Sequence, residues 1–321
     1  MSEVIPVPDD RRARRPVRQT VKILFGVLAV GLLVAAVYSQ RNEFMEAVSR
    51  LAWTTVVLSF VLGLVALFAN MMSWRGAMAG VGAPLPMAAA ARVFLISQLG
   101  KYVPGSVWPV LVQVELTKER GISRVRSTTG ALVGMAVGVV TSASVASVLL
   151  VTSAQDALDD YWFVLLVVPL GVTALTPPVL RRLLTVAAKA TRKEIVPPDL
   201  TWRGLLTSSA WSALMWVAFG FHAWVVVRDL LPDGAPGIAL TIGAFALAWL
   251  VGFLMILAPA GVGVRELALV VALGGALSVP DALALALVSR VLLTVGDAIA
   301  GGGALFLARP HRKLHAEIAH E

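Results

Sequence analysis

Two stretches decide how this chain folds: Lys101-Tyr102-Val103-Pro104-Gly105-Ser106-Val107-Trp108 and Pro259-Ala260-Gly261-Val262-Gly263-Val264-Arg265-Glu266. Each sets proline and glycine inside otherwise apolar, helix-forming sequence. Proline lacks an amide proton and glycine admits unusual dihedrals, so each stretch predicts the end of one helix and the start of another. At membrane depth such breaks are tolerated only where protein or a water-filled cavity receives the freed backbone groups. A pair of them in corresponding halves of one chain points to a transporter's binding site. Taken singly, each also reads as an ordinary proline kink.

The surrounding sequence demands a membrane. Hydrophobic residues form 58% of the 321 positions and charged residues 14%, with a mean hydropathy of +0.83, which excludes an ordinary soluble domain. Runs approaching or exceeding the roughly 20 residues needed to cross a bilayer occupy about Thr20–Tyr38, Leu51–Met72, Ser127–Val151, Tyr161–Leu180, Leu205–Val227 and Ala282–Ala308. Two further blocks, about Ala83–Val114 and Ile238–Leu277, hold the breaks. The first run follows Arg11-Arg12-Ala13-Arg14-Arg15 but lacks a clear small-x-small cleavage site, so it reads as an uncleaved first helix. With no cysteine, disulfide, thiol and thiolate-metal chemistry are excluded.

The formal charge of +8 is unevenly placed. Lys and Arg gather in the N-terminal tail and just beyond it at Lys22, in Ser73–Arg92, Glu115–Arg126, Arg181–Arg203 and the C-terminal tail. Elsewhere they occur only at Arg41, Arg50 and Arg228, and within apolar sequence at Lys101, Arg265 and Arg290. This alternation is the positive-inside pattern, which predicts both termini in the cytoplasm; a basic surface for nucleic acid would not alternate with spans. Trp53, Trp74, Trp162 and Trp202 lie near predicted helix ends, where indole rings favour the interface.

Parity then constrains the broken blocks. The first two helices return the chain to the cytoplasmic side, and the basic segment after Ala83–Val114 is cytoplasmic too, so that block enters and leaves by one face. The same counting makes Ile238–Leu277 enter and leave by the outer face. The expected fold is therefore an all-α integral membrane protein, with about six transmembrane helices plus two re-entrant helical hairpins in an inverted repeat. Repeat one covers 20–151 and repeat two 161–308, between cytoplasmic tails at 1–19 and 309–321. Pro104 and Pro259 are 155 positions apart, as duplication requires. Parity alone leaves two thin full crossings open as the alternative to each hairpin, although the short arms favour re-entry.

A helix restarting after each break presents unpaired amides and a positive dipole end, suited to an anionic headgroup. The expected binding residues are Lys101, Pro104, Gly105, Ser106, Pro259, Gly261, Gly263, Arg265, Glu266 and Arg290. Arg290 and Asp297 are seven residues apart in the last helix and share a face. Ionisable groups at this depth mark function by default. Internal pairing of Arg265 or Arg290 with Glu266 or Asp297 stands beside that reading, as does a coupling role for Glu266 or Asp297. His222 and Asn70 read as interhelical hydrogen bonders, and Gly130, Gly134 and Gly138 as a close-packing stripe. His311 and His315 have metal-like spacing without a third ligand. Neither a metal nor a cofactor is expected.

At Ser97–Gly105, Pro259–Glu266 and Ser289-Arg290-Val291-Leu292-Leu293-Thr294 the chain resembles the transmembrane, flippase-like domain of the lysylphosphatidylglycerol synthase family, over about residues 20–308. That resemblance implies an inner-membrane protein. In fused members the domain moves aminoacylated phosphatidylglycerol across the bilayer, and some stand-alone relatives are linked to polyprenyl-phosphate sugars or other envelope lipids. Ala260 stands where the family usually has a second glycine, and Thr129–Val139 lacks the glutamate expected after the first hairpin. No polar stretch is large enough for the aminoacyl-transferring domain of fused relatives, so the expectation is not an enzyme. The expected function is translocation of a lipid with an anionic or sugar-phosphate headgroup between leaflets. The expected partner is a membrane phospholipid or polyprenyl-phosphate-linked lipid, with no nucleic acid. The rival is a non-transporting partner that positions a cell-envelope enzyme.

Overall fold

The computed structural model describes residues 38, 41–103, 107–153, 161–190, 199–255, 264–274 and 276–307. Its helices are α1 (Arg41–Ser49), α2 (Trp53–Gly80), α3 (Met87–Gln98), α4 (Trp108–Lys118), α5 (Arg124–Ser153), α6 (Val167–Ala174), α7 (Pro177–Ala190), α8 (Trp202–Leu230), α9 (Ile238–Leu254), α10 (Val264–Ala272) and α11 (Val279–Leu307). A 3₁₀ turn over Leu99–Tyr102 prolongs α3, and another over Trp162–Leu166 precedes α6. Local chemistry sets the ends. Pro86 stands at the N-cap of α3, and Pro109 lies in the first turn of α4, where a missing amide proton costs nothing. The Thr201 hydroxyl caps α8 by accepting from the Gly204 amide at 3.3 Å. Gly82, at φ +73°, turns the chain after α2, and Gly121, at φ +77°, does so after α4.

Among the described residues, α2, α5, α8 and α11 are long and apolar enough to cross a membrane. Their outward faces carry Leu58, Phe68, Leu132, Leu214 and Ile299, all exposed, as lipid contact requires. The chain is a multi-pass membrane protein. Two of the six expected crossings differ or go untested. The run Tyr161–Leu180 is not one straight helix: α6 and α7 meet at 84°, because Pro177 and Pro178 remove consecutive amide donors and disfavour helix in the preceding residue. Thr20–Tyr38 lies outside the described residues except for Tyr38, as do the tails with His311 and His315.

The broken blocks each fold into two short helices packed on one another, α3 with α4 and α9 with α10. These arms have 12, 11, 17 and 9 residues. At about 1.5 Å per residue none reaches the roughly 30 Å of a hydrocarbon core. A long helix, two short arms and a second long helix thus occur twice, as α2–α5 and α8–α11. The packing respects the correspondence: α2 lies on α8, α3 on α11 as α9 on α5, and α4 on α5 as α10 on α11.

Helices α2 and α8 run antiparallel. Ser59 meets His222 near one end, with the hydroxyl 2.8 Å from Nδ1, and Gly80 meets Gly204 near the other. Midway, the hydroxyls of Ser73 and Ser208 lie 3.3 Å apart. The two ends are tied alike: the Ala52 amide donates to Asp229 Oδ2 at 2.6 Å, and the Thr201 amide donates to the Gly80 carbonyl at 3.0 Å. His222 is fully buried and bonds between helices, as its sequence reading anticipated. Trp74 does not face outward. It is 4% exposed, and its indole N–H donates to Gln113 Oε1 at 3.0 Å, while Gln113 Nε2 donates to Ser97 Oγ at 3.1 Å. That relay fastens both arms of the first hairpin to α2.

Small residues set helix spacing where lipid supplies no hydrophobic drive for association. In the α5 stripe only Gly130 is tightly held, since an added methyl would lie 2.4 Å from Met78 Sδ; Gly138 has its nearest atom 4.0 Å away. The tightest approach is Gly204, whose added methyl would stand 2.2 Å from the Gly80 Cα. Gly204→Ala should therefore destabilise the protein by about 1–3 kcal/mol through overpacking. Gly138→Ala should stay within about 0.5 kcal/mol of the parent. Thermal unfolding of both variants in one detergent checks the contrast.

Candidate functional site

Both breaks deliver charged side chains to α11. From the first, the 3₁₀ turn brings Lys101 Nζ to 2.6 Å from Asp297 Oδ2, and the Tyr102 hydroxyl lies 2.7 Å from the same oxygen and 3.3 Å from Thr294 Oγ1. Asp297 is nearly sequestered, its side chain 4% exposed, whereas Lys101 is 40% exposed. An ammonium and a phenol satisfy the carboxylate, which makes the charge tolerable at that depth. The turn is held close to α4: a methyl on Gly100 would fall 3.1 Å from the Pro109 nitrogen.

From the second break, the first turn of α10 carries Arg265 and Glu266. Consecutive residues on a helix point about 100° apart, so the two address different neighbours. Arg265 turns to α9, its guanidinium 4.7 Å from the centre of the Phe245 ring, within cation–π range. Glu266 turns to α11, where Arg290 Nη1 donates to its Oε1 at 3.2 Å. Acidic Glu266 also suits the positive end of α10. Between these groups lies a cavity of about 30 Å³, walled by Phe245, Arg265, Glu266, Ser289 and Arg290 over Leu269 and Ala286.

Arg290, Thr294 and Asp297 are spaced i, i+4, i+7 and share one face of α11. That face joins the two breaks, its ends about 10 Å apart at 1.5 Å per residue. The carboxylates are committed, Glu266 to Arg290 and Asp297 to Lys101. Arg265 makes no salt bridge among the described residues, which leaves a cation in excess beside the cavity.

Of the residues expected from sequence, Lys101, Arg265, Glu266, Arg290 and Asp297 gather along α11. Internal pairing holds for Glu266 with Arg290, but Asp297 takes Lys101 from the opposite half rather than either arginine. Arg290 and Asp297 share a face as expected and serve different hairpins. Pro104, Gly105, Ser106, Pro259, Gly261 and Gly263 lie outside the described residues. Sequence reading missed Tyr102, Thr294, Ser289 and Phe245. Thr294 was findable, since it falls between Arg290 and Asp297 on the same helical stripe. Phe245 carried no signal in an apolar run.

The family described as Lysylphosphatidylglycerol synthase TM region matches residues 20–301. No curated protein matches the chain.

The Lys101–Asp297 pair should cost unequally to break. Lys101→Ala strands a sequestered carboxylate with Tyr102 as its partner and should lose about 2–4 kcal/mol. Asp297→Ala strands an ammonium that is already 40% exposed and should lose less. The double variant should fall short of the sum, a coupling that a double-mutant cycle of thermal stabilities measures.

Proposed function

The chain belongs to the lysylphosphatidylglycerol synthase transmembrane-region family, and from that premise we propose that it translocates a lipid with an anionic or sugar-phosphate headgroup between leaflets of the cytoplasmic membrane. The observation that carries this reading is the meeting of two broken hairpins, one from each half, on a single polar face of α11. Ionisable residues at membrane depth are expensive and serve ligand or ion pathways. Here Lys101, Arg265 and Arg290 outnumber Glu266 and Asp297, and the excess falls on Arg265 beside a cavity. An anionic headgroup is the complement of that balance, with its acyl chains left in lipid.

The exchange-symmetric packing supports an inverted repeat, because the corresponding helices α2 and α8 run antiparallel. Two halves of opposite orientation around one site are the geometry for alternating access. In this reading both termini are cytoplasmic, six helices cross, and α3–α4 and α9–α10 re-enter from opposite faces. The cavity, about 30 Å³, is the size of one water, too small for a headgroup. Entry requires the halves to part at α11.

Purified protein in liposomes should accelerate leaflet exchange of labelled phosphatidylglycerol or of a polyprenyl-phosphate sugar. Arg265→Ala and Arg290→Ala should each slow it by about tenfold or more, the loss of one charge-assisted contact. If the parent protein moves no candidate lipid faster than empty liposomes, the translocation reading is wrong.

Topology is checked separately, and the absence of native cysteine makes it direct. Asp233→Cys, in the α8–α9 loop, should react with an impermeant maleimide added to whole cells. Glu119→Cys, after α4, should react only once the membrane is opened. Equal labelling of the two would remove the opposed hairpins.

A further inference from the structure

Ser289 is 2% exposed, and its hydroxyl finds no hydrogen-bond partner among the described residues. A buried hydroxyl left unpaired is unfavourable and rare. The simplest remedy within a helix is to donate to the carbonyl four residues back. Other helical hydroxyls here do so: Ser147 to Ala143 at 2.7 Å, Thr152 to Val148 at 2.7 Å and Thr185 to Arg181 at 2.8 Å. Ser289 does not. It lines the cavity with Arg265 and Arg290 instead.

We propose that this cavity is a phosphoryl site in which the Ser289 hydroxyl is a direct ligand beside Arg265 and Arg290, and in which Glu266 occupies the ligand's place until it is displaced. The inference rests on the translocation reading and sharpens it by naming the recognised chemistry. Three donor side chains that wall one cavity, two of them planar guanidinium forks, match the several oxygens of a phosphoryl group. Arg290 already holds the Glu266 carboxylate at 3.2 Å, an internal imitation of an anionic ligand. A cavity of about 30 Å³ holds one water and not a phosphoryl group, so binding requires Glu266 to leave. Its side chain is 20% exposed and sits at the start of a nine-residue helix, so protein does not enclose it on every side. The exchange is a substitution of one anion for another at Arg290, with no covalent step.

The test uses the full chain in detergent and reads the thermal midpoint against inorganic phosphate, and separately against phosphatidylglycerol doped into the micelles, since a ligand of the folded state raises the midpoint. Ser289→Ala should leave the ligand-free midpoint unchanged or higher, because the hydroxyl has no partner to lose. The same change should weaken binding about tenfold. Glu266→Gln should strengthen binding by a similar factor, because the internal competitor loses its charge. A response to inorganic phosphate alone assigns the site to a soluble phosphate, and a response to the lipid assigns it to a headgroup. The proposal is overturned if neither probe binds, if Ser289→Ala binds as the parent does, or if Glu266→Gln binds more weakly. A ligand-free midpoint that drops in Ser289→Ala would make the serine structural and overturn it too. Binding that behaves as expected without lipid exchange in liposomes would instead remove only the translocation reading.

Discussion

Backbone contact between α2 and α8 is the constraint on which the other helices depend. At Gly204 the helices approach until no side chain fits between them. The crossing is pinned by Ser59 with His222 and by Ser73 with Ser208. In hydrocarbon, apolar side chains gain little by meeting one another rather than lipid, so close packing and interhelical hydrogen bonds must hold the pair. Once this antiparallel pair is set, each half lays its hairpin against the last helix of the other half. The two hairpins therefore depend on each other through α2 and α8 as well as through α11.

The polar face of α11 resolves a conflict between burial and charge. Asp297 sits almost out of contact with solvent, yet Lys101 and Tyr102 reach it from the opposite half. Glu266 and Arg290 neutralise one another between α10 and α11, just after the second break. Breaking a buried pair costs more than the pair is worth relative to an apolar replacement, because the surviving charge is stranded. Arg265, over the Phe245 ring, makes no salt bridge among the described residues.

Much of the fold was legible because the bilayer restricts the choices. Apolar runs became α2, α5, α8 and α11, and the proline-glycine interruptions became pairs of short packed arms. The differences have local causes. Tyr161–Leu180 read as one straight run because apolar content outweighed Pro177 and Pro178, whose combined loss of donors bends the chain sharply. Trp74 read as an interfacial anchor by its place in the sequence, but it is a core residue whose indole bonds a single amide, Gln113. The site was half legible: charges within apolar sequence announce themselves, whereas Tyr102 and Ser289, although inside stretches the sequence singles out, show no partner chemistry until neighbours are known, and Phe245 looks like ordinary filling.

By itself the sequence determined that this chain lives in a membrane, where its helices break, and which charged residues the bilayer would force inward. Those facts follow from local dihedral chemistry and from the cost of placing polar groups in hydrocarbon, neither of which needs a partner. Only the tertiary structure decided the pairing, with Asp297 taken by Lys101 and Glu266 by Arg290. It alone set Ser289, its buried hydroxyl unpaired among the described residues, in the wall of a cavity. The Lys101–Asp297 pairing depends on which helix faces which across more than a hundred residues of chain, and that is a property of packed surfaces that no stretch of sequence carries alone.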